Sequence, residues 1–148
     1  MTKKTSDGTV KTNLHAIFGT DERLEEGGAW VTVNEIYKLR VKVRRLRSDA
    51  VIKGYDRVSR EVLDEKKVRR PEDLTNDESM EILKRQLAEY VIVDWEGVYN
   101  SNTGEEIPYS KEAALAMMEM KDFREFIYQA ASERDAFREQ ADEEAEKN

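Results

Sequence analysis

The stretch AWVTVNEIYKLRVKVRR, Ala29 to Arg45, decides the class of fold. Trp30, Thr32 and Asn34 alternate with Val31 and Val33; further on, Leu39, Val41 and Val43 alternate with Lys38, Arg40, Lys42 and Arg44. A period of two with β-branched residues marks half-buried strands, because successive side chains point to opposite faces. Asn34-Glu35 supplies a turn, so the stretch reads as a β-hairpin. Its second strand has one apolar face and one row of cations.

Downstream the period becomes helical. Val51, Tyr55, Val58 and Val62 fall at i, i+4, i+7 and i+11, with Ser48 or Asp49 as cap, although Gly54 interrupts the run. This helix should fade in EKKVRR, before Pro71. Thr75 and Glu78 have capping-box spacing, and Met80, Leu83, Leu87, Tyr90 and Val91 form a second stripe that runs into Asp94-Trp95 and must end by Gly97. A third helix is expected after Ser110, with Ala113, Ala114, Leu115, Met117 and Met118. Asp122 and Glu125 repeat the cap spacing before a fourth, with Phe123, Phe126, Ile127, Ala130, Phe137 and Ala141 along one side. The predicted class is α+β: a small N-terminal β-hairpin or sheet followed by a mainly α-helical C-terminal part. Residues 1–13 are polar and unpatterned and are expected to be a disordered tail. Residues 14–141 form a single α+β domain, in which Leu14, Ile17 and Phe18 make a small apolar patch, and 142–148 an acidic C-terminus that frays.

Composition narrows the chemistry. A chain of 148 residues suits one domain, and a net charge of −7 argues against general affinity for nucleic acid or an anionic membrane. The absence of cysteine excludes disulfides, zinc–thiolate sites and thiol nucleophiles. No apolar run approaches the roughly 18 residues of a membrane span, and no apolar region follows the lysines of MTKKTSDGTVKT, so a cytoplasmic protein is expected. His15 is the only histidine, and no Gly-x-Ser-x-Gly elbow, His-x-x-x-His pair, phosphate loop or calcium loop accompanies it. Neither catalysis nor a metal or other cofactor is expected.

The remaining acidic candidates lie in VIVDWEGVYNSNTGEEIPYS, Val91 to Ser110. Asp94 and Glu96 would share a direction on a strand and diverge on a helix. Nothing nearby supplies the second half of a carboxylate-pair site. The stretch reads better as a structural corner between two helices. Trp95 buries its ring at a helix end, Gly97 permits a left-handed cap, Asn100 to Gly104 turn, and Pro108 and Ser110 start the next helix. A second candidate is electrostatic. Lys38 to Arg70 holds 13 Lys/Arg against 5 Asp/Glu, +8, which leaves −15 for the rest of the chain. Lys38, Arg40, Lys42 and Arg44 could line a phosphate-binding face, but no aromatic alternates with them as a stacking platform requires. A solvated or self-paired face is the simpler reading, with the acidic helices as counter-surface.

The order of landmarks resembles the tail assembly chaperones of tailed bacteriophages. Gly28 to Val31 (GAWV) comes first, then the strand VKVRRLRS (Val41 to Ser48) and a helical middle. VIVDWEGV (Val91 to Val98) follows with its turn TGEEIPYSKEAA (Thr103 to Ala114), then a helix with Phe137 and a terminal Lys147-Asn148. The resemblance implies a non-catalytic protein of the host bacterial cytoplasm. It would bind the long helical tape-measure protein and keep it soluble until the tail-tube protein polymerises around it. On that reading Met117, Met118, Phe123, Phe126 and Phe137 are the candidate contacts, an adaptable apolar surface for partner helices, though core packing explains each of them as well. Trp30, Asp94, Trp95, Gly97, Gly104 and Pro108 are structural landmarks, the two tryptophans as buried anchors. Self-association is expected; membrane and nucleic acid are not. A small neck or tail component of the virion and a nucleic-acid-binding phage regulator using Lys38–Arg47 are the alternatives.

Overall fold

The computed structural model describes residues 3–4, 10–11 and 13–138. Within the expected tail, β1 (Lys3–Lys4) and β2 (Val10–Lys11) pair antiparallel. The expected frayed C-terminus, with Ala141, lies outside the described residues. Two short helices follow, α1 (Leu14–Phe18) and α2 (Glu22–Gly27), then β3 (Ala29–Asn34), β4 (Leu39–Val43), α3 (Asp49–Lys66) and α4 (Asn76–Gln86). A single π-helical turn, Leu87–Val91, leads into β5 (Ile92–Glu96), followed by α5 (Lys111–Met117) and α6 (Lys121–Ser132); short 3-10 turns lie at Pro71–Asp73 and Asp135–Phe137. The class is α+β: an antiparallel sheet in the order β3-β4-β5, covered on one face by helices.

The hairpin forms as its alternation demands. Val31 pairs with Val41 and Ala29 with Val43, and the buried members of these pairs, Ala29, Val41 and Val43, face inward. Trp30 pairs with Lys42 and Thr32 with Arg40 on the outer face. The turn is longer than Asn34-Glu35 and holds Lys38 at φ +53.

The third strand corrects the sequence reading. Asp94-Trp95 was expected at the end of a helix, and it lies instead on β5, with Trp95 opposite Val41. The helical stripe and the strand alternation overlap in LAEYVIVDW, so local periodicity fits both. Distant partners decide between them. The Arg44 N–H donates to the Val91 carbonyl (2.8 Å), and the Tyr109 hydroxyl donates to the carbonyl of Ile92 (2.9 Å) just past the π turn. The expected corner therefore joins a strand to a helix. Its loop keeps the predicted chemistry. Asn100 Oδ1 accepts from the N–H groups of Asn102 and Thr103, Gly104 has φ +72, and Ser110 caps α5. Gly97, at φ +81, ends a strand rather than a helix; a Cβ there would lie 2.5 Å from the Lys38 carbonyl oxygen.

Helix α3 starts where the cap signal places it, with Ser48 accepting from Val51 N–H (3.4 Å). The Glu26 carboxylate of α2 accepts from the next free donors, Asp49 N–H (2.7 Å) and Ala50 N–H (3.3 Å), so two acceptors meet the orphan groups of the first turn. The buried stripe is Val51, Gly54, Val58 and Val62; Tyr55, expected within it, is 47% exposed. Gly54 takes its place because the Tyr90 ring lies against the glycine and occupies the position of a Cβ. The Thr75–Glu78 capping box closes in both directions. Helix α6 begins one residue before Asp122, which therefore stands in its first turn and not at its cap. One core, from Val41, Val43, Ile92 and Trp95 to Leu87, Met118, Ile127 and Phe137, joins the sheet to α5 and α6. A smaller one, Val58, Val62 and Ile82, joins α3 to α4.

Candidate functional site

Two surfaces bring predicted residues together. The first is the outer face of the sheet, where side chains stand in two rows. Thr32, Arg40 and Glu96 form one, and Trp30, Lys42 and Asp94 the other. The Arg40 guanidinium lies 4.2 Å from the centre of the Trp30 ring and donates to both oxygens of Glu96 (2.6 and 3.1 Å). Lys42 reaches the same ring at 6.0 Å. The sequence reading found no aromatic among these cations because it looked along one strand. Trp30 comes from the neighbouring strand. It is thus a half-buried outer residue and not the core anchor expected; only Trp95, 5% exposed, is that.

The predicted row of cations is not a uniform face. Lys38 is exposed in the turn, and Arg40 is paired. Arg44 is half-buried and donates to the carbonyls of Glu26 (2.8 Å) and Tyr90 (3.1 Å), a structural tie between α2, β4 and the π turn. Next to it Arg45 pairs with Glu25 at 2.7 Å, both side chains 19% exposed. Burial raises the Glu25 pKa, but hydrogen bonds from the Thr20 hydroxyl and Arg45 outweigh it and hold the carboxyl below its ordinary value. Asp94 and Glu96 do share a direction, as a strand requires. Their cross-strand neighbours are Lys42 and Arg40, which suits ion pairing rather than acid–base chemistry.

The second surface is a groove of about 520 Å³ between α4 and α6, with Met80, Leu83, Phe126 and Tyr128 lining it and Lys121, Asp122 and Glu125 among its charged residues. Of the predicted contact residues, Phe126 lines this groove; Phe123 and Met117 are half-buried against the core. Met118 and Phe137 are completely buried and belong to the core alone. Sequence reasoning placed Met80 and Leu83 in a core stripe, and both are only half-buried. Tyr128 was missed because it lies beside the apolar stripe of α6, not in it. Its signal was the pair of half-buried apolar residues facing it from α4.

Among the described residues, no three His, Cys, Asp or Glu side chains lie together as a metal site, and no helix is long and apolar enough to cross a membrane. No curated protein sequence and no solved structure matches the chain. A family of prophage proteins does match, over residues 46–148. That segment runs from the end of the hairpin through α3, α4, β5, α5 and α6, and so contains the α4–α6 groove. With more than two thirds of its length covered, the chain belongs to the YdaY prophage protein family and is of bacteriophage origin.

Proposed function

We propose that this protein is a tail assembly chaperone of a tailed bacteriophage. It acts without catalysis, in the host cytoplasm, by binding the tape-measure protein and keeping it soluble until the tail-tube protein takes over. The groove between α4 and α6 carries the proposal. Its apolar lining of Met80, Leu83, Phe126 and Tyr128 under charged rims suits the i, i+3, i+4 apolar stripe of an amphipathic helix. Methionine lets one groove accept many similar stripes. Phe123 and Met117 support it from the core, and Met118 and Phe137 fix the helices that form it.

The test is co-expression with the long helical protein encoded beside it, scored by solubility and co-purification. The wild-type chain should bring the partner into the soluble fraction, and Tyr128→Glu, at a 44% exposed position, should fold and fail to do so. If the partner stays insoluble and unbound, the proposal fails and a structural component of the virion becomes the leading reading, to be sought by mass spectrometry of purified particles. The nucleic-acid-binding alternative gains one observation, the Trp30 ring between Arg40 and Lys42. Glu96 and Asp94 stand in register with the same cations, so this face is close to neutral. Binding to DNA that weakens steeply with salt would favour it.

A further inference from the structure

Unlike charges stand apart in this chain, and folding neutralises only part of them. Within the basic segment Arg40, Arg45, Arg57, Lys66 and Arg70 find carboxylate partners. At the C-terminal end of α3 other cations do not. Among the described residues, Arg60 reaches only the Asp56 carbonyl (3.3 Å), and Lys67 and Arg69 have no carboxylate partner. Arg60 and Lys67 are seven residues apart, about 10 Å along the helix axis. Lys67 ends the helix in a left-handed conformation, φ +56, where glycine would be the unstrained residue.

These cations border two depressions that meet at the turn from Arg70 to Leu74. One, of about 430 Å³, is lined by Tyr55, Leu63, Pro71 and Leu74 together with Arg60 and Asp56. The other, of about 640 Å³, is lined by Lys67, Arg69 and Arg70 with Asp73, the partner of Arg70, so that across the two depressions four cations stand against two carboxylates. Ser59 also lines the first. Its hydroxyl is buried with no hydrogen-bond partner among the described residues, a group that costs stability until something supplies one.

The complementary charge is at the other end of the sequence. Residues 139–148 carry Glu139, Asp142, Glu143, Glu144 and Glu146 against the single Lys147. We propose that the cationic corner of α3 receives this acidic segment from a second copy of the chain, so that copies associate head to tail. Geometry favours a second copy over the same chain. The segment leaves Arg138 beside Ala16, next to Phe137, over whose ring Arg45 lies at 5.9 Å, and the Leu46 N–H donates to Ala131. All of these adjoin the N-terminal end of α3. Lys67 and Arg69 are at the opposite end of a helix of 18 residues, roughly 27 Å away, and Arg60 is about 17 Å along it. Ten residues span at most roughly 33–36 Å when fully extended, so reaching Lys67 and Arg69 of the same chain would require a nearly straight segment. A contact between unlike patches can repeat, giving rings or filaments. With only Ala141 and Ala145 as apolar residues in the segment, the attraction is mainly ionic and is screened by salt. The inference is independent of the client proposed above.

The experiment is sedimentation velocity on the full chain without any partner, at low salt and at about 1 M salt, where screening acts within about 3 Å. The wild type should assemble beyond a dimer at low salt and dissociate at high salt. Arg60→Glu with Lys67→Glu and Arg69→Glu reverses the corner; all three positions are exposed, and circular dichroism checks the fold. Asp142→Lys with Glu143→Lys and Glu144→Lys reverses the segment. Each triple variant alone should sediment as a monomer, and an equimolar mixture of the two should recover assembly. A monomeric wild type at low salt, assembly indifferent to either reversal, or a mixture that stays monomeric would overturn the proposal.

Discussion

Replacing Trp95 with alanine tests the architecture most severely, because this ring joins the sheet to everything packed on it. It is 5% exposed, stands opposite Val41, and meets Tyr109 edge-on with ring centres 5.5 Å apart. Its indole N–H donates to the Ile107 carbonyl at 2.8 Å and so ties β5 to the loop that ends in α5. Removing a buried tryptophan costs about 3–5 kcal/mol in lost transfer and cavity. An orphaned carbonyl adds about 1–3 kcal/mol where water cannot reach it. Against a typical domain stability of about 5–15 kcal/mol, Trp95→Ala should leave the chain close to unfolding. Trp95→Phe keeps most of the ring and loses the donor, so about 1–3 kcal/mol is expected. Trp30 is the internal control. Half-buried on the outer face, it should cost about 1–2 kcal/mol as alanine, part burial and part cation–π contact. Urea unfolding followed by circular dichroism measures all three. A Trp95→Ala loss below 1 kcal/mol, or an equal loss from Trp30→Ala, would refute the assignment of inner and outer faces.

Other positions give sharp signs. Gly54→Ala should destabilise by about 1–2 kcal/mol although alanine is the better helix former by about 1 kcal/mol, because the added methyl displaces the Tyr90 ring; a raised unfolding midpoint would contradict that contact. Tyr109→Phe should cost about 1–2 kcal/mol through the lost bond to the Ile92 carbonyl, seen as faster amide exchange around the π turn as well as lower stability. Glu25 has its carboxyl held below the ordinary 4.5 by Thr20 and Arg45 against the upward push of burial. Its stabilising contribution is therefore complete above about pH 4.5 and disappears as pH falls through the lower folded value. Glu25→Gln should flatten the stability profile in that window, and an unchanged acid limb would rule out the pairing.

Much of the fold was legible because local signals there agree with the tertiary outcome. The hairpin from Ala29 to Val43, the Ser48 and Ser110 caps and the Thr75–Glu78 box are set by residues within a few positions of one another. What escaped depends on partners far along the chain. Residues 92–96 become a strand because β4 offers an open edge, and Tyr55 yields its place to Gly54 because Tyr90 needs the space. Trp30 joins the cations across a strand pair, a relation that only register reveals. The candidate groove was half legible: Phe126 was named, whereas Met80, Leu83 and Tyr128 come together only through the way α4 and α6 pack.

The strand order also sets a sequence of events in time. Strand β4 sits in the middle of the sheet, yet its two neighbours come from opposite directions in the chain. Closing β3 onto β4 needs only the turn 35–38, whereas closing β5 onto β4 spans residues 44–91 and costs about 2 kcal/mol more in loop entropy. During synthesis the hairpin can pair as soon as Val43 has left the ribosome, but the far edge of β4 stays open until Glu96 follows. For that interval the nascent chain presents Val41 and Val43 beside unpaired backbone, and any arrest of translation between α3 and β5 would prolong its tendency to stick to its neighbours.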